Sequence, residues 1–169
     1  MLKYLTLLSV LIIGRIVHGQ SEIEGRVIKV SEGDIIEMVT ATQDTLTVRL
    51  SNVDCPENGQ AYYDEAKRYT EKMCLKKKIR FISSGTGGEG VEEGRLLLNN
   101  DRVLNIELVK EGLAWHLRKG LQMSSDTQQL NEGEELARTS KKGLWSVENP
   151  LAPWVYKRNL NRFEAKSSY

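Results

Sequence analysis

Thr45-Leu46-Thr47-Val48-Arg49-Leu50 runs directly into Ser51-Asn52-Val53-Asp54-Cys55-Pro56-Glu57. In the first half, Leu46, Val48 and Leu50 alternate with polar residues, the period-two pattern of a strand with one face in a core. Arg49 therefore points away from that core. On the N-terminal side, Gly25 to Val30 and Asp34 to Val39 read as two further strands. Ser31-Glu32-Gly33 is the turn that brings Asp34 to the start of the second. The three strands make a meander.

On the C-terminal side, Tyr62, Ala66, Tyr69 and Met73 recur at helical spacing and predict a helix from about Gln60 to Lys76. Strands follow at Ile79 to Ser83 and Arg95 to Leu98, with Asn99-Asn100 as a turn. A second helix covers about Val103 to Glu111 and stops at Gly112, and a third runs from near Asp126 to Lys142 and stops at Gly143. Past Pro150 the periodicity fades, which predicts a loosely held tail whose Trp154 packs back on the body. Three strands, a helix, two strands and further helices describe an α+β domain: a five-stranded OB-type β-barrel packed with three α-helices.

At 169 residues and 40% apolar, the chain suits one compact domain. Residues 1–19 carry Lys3, an apolar run from Leu5 to Ile13 and a small residue before Gln20, the pattern of an export signal peptide. Gly14-Arg15 cuts that run short of the roughly 20 residues a membrane span needs. The expected division is a signal at 1–19, the domain at 20–158 and a flexible tail at 159–169. The expected location is secreted or periplasmic.

The 24 basic residues less Lys3 and Arg15 leave 22 against 23 acidic, so no global positive field attracts nucleic acid. Attraction must be local, and Lys76-Lys77-Lys78 with Arg80, and Lys157 through Lys166, are the basic clusters. The two cysteines, Cys55 and Cys74, raise a disulfide in an exported chain, although Cys74 falls on a buried helical stripe and Cys55 within a polar loop. Without the signal, His116 is the sole histidine. A His-rich metal centre and a Ser-His-Asp triad are thereby disfavoured.

Glu32-Gly33-Asp34, Asp54-Cys55-Pro56-Glu57, Arg49 and Gly94-Arg95 contain what hydrolysis of a phosphodiester requires. Two carboxylates hold a hard cation, a third poises water, and two guanidiniums grip phosphate. Singly, each has a plainer reading: Asp34 as a turn aspartate, Glu57 as an exposed loop acid, Arg49 and Arg95 as salt-bridge partners. Gly85 to Gly90 literally fits a dinucleotide-binding glycine pattern, but no helix follows and Glu92 and Glu93 repel a pyrophosphate. That segment is expected to be a mobile loop.

Val30-Ser31-Glu32-Gly33-Asp34, Val48-Arg49-Leu50, Val53-Asp54-Cys55-Pro56-Glu57, Gly94-Arg95, Gly112-Leu113-Ala114-Trp115-His116, Gly143-Leu144-Trp145 and Pro153-Trp154 together resemble the thermonuclease, or staphylococcal nuclease-like, family. The resemblance runs from about Gly25 to Arg158. It implies the OB-type fold, Asp34 and Asp54 as metal-binding carboxylates, the backbone carbonyl of Cys55 as a further ligand, and Ca2+ as the ion. It implies that Glu57 orients or deprotonates water and that Arg49 and Arg95 contact the scissile phosphate.

The sequence departs from the family at Glu32 and Ile35, at Cys55 where Thr is usual, at Glu92 and Glu93, and at Leu117 where Tyr is common. Trp115 reads equally as core or as a base platform. The function implied is an exported, calcium-dependent endonuclease, monomeric, hydrolysing DNA and RNA with low sequence specificity to 3′-phosphate ends. The alternative is a catalytically silent barrel that binds single-stranded nucleic acid or a protein partner.

Overall fold

The computed structural model describes residues 21–118 and 124–167. The expected signal peptide lies outside them. The strands are β1 (Glu22–Glu32), β2 (Ile35–Thr40), β3 (Thr45–Leu50), β4 (Val53–Asp54), β5 (Lys78–Thr86), β6 (Glu92–Leu97) and β7 (Trp115–His116). The helices are α1 (Tyr63–Cys74), α2 (Leu104–Lys110), α3 (Ser125–Thr139) and α4 (Pro153–Ser167). Five strands close into a barrel in the order β1-β2-β3-β6-β5, with β5 returning to pair with β1. This is the expected OB-type barrel, carrying four helices instead of three.

Closure depends on one parallel pairing, β3 to β6, in which Arg49 lies opposite Glu93 and Leu50 opposite Gly94. Gly94 is needed there because a Cβ would fall on the Ile82 carbonyl and within 2.7 Å of the Phe81 ring. Asn105 on α2 fastens the junction. Its carbonyl oxygen accepts from the Leu96 amide at 3.1 Å, and its NH2 group donates to the carbonyls of Ser51 at 2.9 Å and Gly94 at 3.1 Å. A buried side chain that satisfies three backbone groups at once fixes where Arg95 leaves the sheet.

The barrel interior is filled by Val27, Ile36, Met38, Val48, Phe81 and Leu96, and α2 caps one end with Leu104, Leu108 and Val109. On α1, Ala66, Thr70 and Cys74 are the fully buried stripe, flanked by half-buried Tyr62, Tyr69 and Met73. The expected stripe is therefore rotated: the large aromatics flank it, because residues this close to the barrel wall have to be small. Cys55 and Cys74 are both buried free thiols.

Two regions differ from the sequence reading. The glycine-rich segment extends β5 to Thr86 and, after a single 3-10 turn at Gly88–Gly90, starts β6 at Glu92. The Glu92 carboxylate, accepting from Ser83 Oγ and Thr86 Oγ1 at 2.6 Å each, ties that hairpin together, and those bonds hold its pKa below the ordinary value. The second is α4, a helix where an aperiodic tail was expected. Pro153 begins it, as proline readily does at a first helical turn, and Trp154 packs edge-on against Trp115. No helix among the described residues is long and apolar enough to cross a membrane.

Candidate active site

Asp34 sits in the two-residue turn between Glu32 and Ile35. The turn is pinned from both sides: Thr70 Oγ1 donates to the Gly33 carbonyl at 2.6 Å, and the Leu50 amide donates to the Asp34 carbonyl at 2.9 Å. A Cβ on Gly33 would lie 2.7 Å from Cys55 Sγ and 2.9 Å from the Ala66 methyl, so glycine lets this turn press against α1. Asn52, at φ 61, reverses the chain after β3. The reversal delivers Asp54 into β4, where it pairs with Trp115 of β7.

Asp34, Arg49, Asp54 and Arg95 all line one cleft of about 1030 Å³, joined by His116, Leu117, Asp126, Trp154 and Lys157. The sequence-predicted acids and arginines thus converge from the β1–β2 turn, β3, β4 and β6. Cys55 and Glu57 are not among the residues that line the cleft, although Glu57 is bonded to Lys157, which does. Cys55 is buried with its thiol toward Gly33, which leaves the backbone carbonyl as the group it can offer a cation. Glu57 pairs with Lys157 Nζ at 2.7 Å, and its amide donates to Gln60 Oε1 at 2.8 Å.

The electrostatics describe a crowded acid cluster. Burial, then the charges of Asp54 and Glu32, push Asp34 up to about 7 against the partial opposition of Arg49. Burial and the four carboxylates Asp34, Asp54, Glu32 and Glu57 hold the Cys55 thiol far above its ordinary value, so it is inert as a thiolate. Burial disfavours the charge on Lys157, yet its bond to Glu57 and the charges of Glu57, Asp54 and Glu32 outweigh that and raise its pKa. Burial and the neighbouring Arg118 lower His116, making it neutral near physiological pH.

Among the described residues, no three His, Cys, Asp or Glu side chains form a ready-made metal cluster. The donor set that does converge is two carboxylates, Asp34 and Asp54, plus the Cys55 carbonyl. Oxygen donors on a mutually repelling acid pair, of which Asp34 is buried and Asp54 partly exposed, suit a hard divalent ion that keeps several waters. The residues fit the ion.

Arg95 Nη1 pairs with Asp126 Oδ2 at 2.5 Å, while its Nε is buried without a partner. The β7 wall is held by Glu134 on α3, fully buried, which accepts from the His116 amide at 3.2 Å and from Arg118 at 2.6 Å. The sequence reading missed Lys157, Asp126 and Glu134. Lys157 was visible as part of a basic cluster one turn beyond Trp154, but the fading periodicity concealed that both belong to a helix facing the site.

A closed barrel that gathers two acids and two arginines at one cleft defines an OB-type phosphodiesterase scaffold. Residues 47–147 match the family model described as staphylococcal nuclease homologue. The chain belongs to that family and is a phosphodiester hydrolase, a nuclease.

Among its relatives, an uncharacterized endonuclease of Haemophilus influenzae is 29% identical over 133 residues, 79% of this chain and 72% of the relative. A micrococcal nuclease of Shigella flexneri is 28% identical over 149 residues, 82% of each chain. A staphylococcal-like nuclease of Arabidopsis thaliana is 32% identical over 117 residues, which is 66% of this chain and 33% of that one. Arg49, Asp54, Cys55, Glu57 and Arg95 fall inside the matched stretch, whereas Asp34 precedes it and α4 follows it.

Proposed function

We propose that this protein is an exported, calcium-dependent endonuclease that hydrolyses DNA and RNA with low sequence specificity and leaves 3′-phosphate ends. The observation that carries the reading is the convergence of Asp34, Asp54, Arg49 and Arg95 on a single cleft. Asp34, Asp54 and the Cys55 carbonyl would hold the cation, which would supply charge neutralisation for the phosphate. Arg49 and Arg95 add forked donors to the same phosphate, strongest where the phosphorane-like charge is largest.

Arg95 spends one nitrogen on Asp126, so Asp126 aims the guanidinium while its other donors remain for phosphate. Glu57 accepts a hydrogen bond from the attacking water on the oxygen not tied to Lys157, and takes its proton. The bond to the 5′ oxygen breaks, and that oxygen gains its proton from water in the open cleft. Export rests on the N-terminal sequence pattern.

Digestion of single-stranded DNA across calcium, manganese and magnesium titrations, with end-group analysis, tests reaction, ion and bond polarity together. Calcium-stimulated cleavage to 3′-phosphates is the expected result, and intact substrate under all three ions sinks the proposal. The second reading, a silent binding barrel, draws on the fact that Glu57 and Arg95 already hold partners in this structure. Tight binding without cleavage in calcium would select it.

A further inference from the structure

The cleft offers groups for the phosphate of a nucleic acid, and one group suited to its bases. Among the described residues that line it, Trp154 is the one indole, with no tyrosine or phenylalanine beside it. Trp154 keeps 43% of its surface exposed. Its ring is nonetheless fixed: it meets Trp115 at 5.7 Å between centroids with the planes 74° apart. A T-shaped contact of this kind occupies at most one face of the Trp154 ring.

Trp115 is placed differently. It packs against Trp145 at 4.4 Å and Trp154 at 5.7 Å, and the Arg138 guanidinium lies 5.1 Å from its ring centre. Those neighbours make it part of the scaffold behind the cleft, which it does not line. One turn along α4 from Trp154 stands Lys157, on the same helix face and bound to Glu57. A base laid on Trp154 therefore sits about 5 Å along the helix from the residue that anchors Glu57.

The same segment straps the Glu57 loop, since Gln60 Nε2 donates to the Leu151 carbonyl at 2.8 Å and Tyr156 Oη donates to the Asn58 carbonyl at 3.4 Å. Platform and loop are built as one piece.

We propose that Trp154 is the stacking platform for an unpaired nucleobase of the nucleotide next to the scissile phosphate. The inference rests on the phosphodiesterase reading above. Stacking on a fixed aromatic face is tolerant of base identity, because every base has a π-face, and it requires that the base be free of its neighbours. The platform lies beyond residue 147, where the match to the family model ends.

The test uses the full chain and two labelled oligonucleotides of equal charge, short oligo-dT and the same length of abasic spacer. Fluorescence anisotropy is measured in EDTA, with steady-state cleavage of oligo-dT in calcium. Wild type is expected to bind oligo-dT about tenfold more tightly than the spacer. Trp154→Leu, which keeps an apolar contact to Trp115, should erase that preference and raise KM with kcat little changed, while Trp154→Phe should retain most of both. Thermal melting of both variants separates loss of packing from loss of stacking. A Trp154→Leu variant that melts as wild type and still prefers oligo-dT overturns the inference and leaves the nuclease reading intact. Failure of wild type to cleave oligo-dT in calcium, manganese and magnesium alike overturns both.

Discussion

Asn at position 34 should make the metal-free protein more stable, and increasingly so as pH rises. Asp34 is 4% exposed, and its carboxyl is pushed from the ordinary 3.8 up to about 7 by burial and by Asp54 and Glu32. A carboxyl whose folded value is raised holds its proton more tightly in the fold than in the unfolded chain. The fold is therefore favoured at low pH and loses stability as pH climbs from 3.8 toward 7, after which the loss is constant.

Worked through the two values, the cost of keeping Asp34 is about 0.6 kcal/mol at about pH 4 and about 4 kcal/mol at about pH 8. Asp34→Asn removes the charge and keeps the shape. Urea unfolding in EDTA should show a gain of that order at the higher pH and almost none at the lower. Adding calcium at the higher pH should then stabilise wild type and leave Asp34→Asn unmoved, because a ligand stabilises only the state that binds it. A gain of equal size at both pH values, or none at either, would refute the claim that Asp34 is a buried acid waiting for a cation.

Arg49→Lys and Arg95→Lys should each lower kcat by about a hundredfold or more with unchanged circular dichroism, since an ammonium cannot reproduce a forked contact. Lys157→Met takes a positive charge away from Glu57, Asp54 and Glu32. Calorimetry should show calcium bound severalfold more tightly, while turnover falls about tenfold because Glu57 has lost its anchor. Glu134→Leu strips the acceptor from the His116 amide and from Arg118, and should cost about 2–4 kcal/mol in a thermal or denaturant melt. Gly33→Ala drives a methyl into Cys55 Sγ and Ala66, and should weaken calcium binding measured by calorimetry before it abolishes folding.

The barrel was readable because its strands alternate cleanly. Leu46, Val48 and Leu50 put Arg49 on the opposite side, and the structure has Val48 and Leu50 buried and Arg49 at the cleft. Asp34 was readable because the turn at Ser31-Glu32-Gly33 announces itself by residue type, whereas Asp54 was marked by the acidic motif it shares with Glu57 and by the family resemblance. The β4–β7 pair was not, since two residues carry no period, and Asp54 owes its placement to the remote Trp115.

The clearest failure was α4. Pro153-Trp154-Val155-Tyr156-Lys157-Arg158 lacks a broad apolar stripe because its inward face is used for contacts with the site loop, by Lys157 to Glu57 and Tyr156 to Asn58. Hydrophobic periodicity detects helices that bury an apolar stripe, and this one is tied down by an ion pair and a hydrogen bond. The partners of Arg95 and Lys157 were equally hidden, because Asp126 and Glu57 are distant in sequence and nothing local marks the match.

The parallel β3–β6 seam has Arg49 on one of its strands and Arg95 on the other. Before that seam shuts, neither guanidinium shares a phosphate with its counterpart, and the Asn105 staple has nothing to grip. The two guanidiniums therefore face one cleft only in a molecule whose barrel is closed.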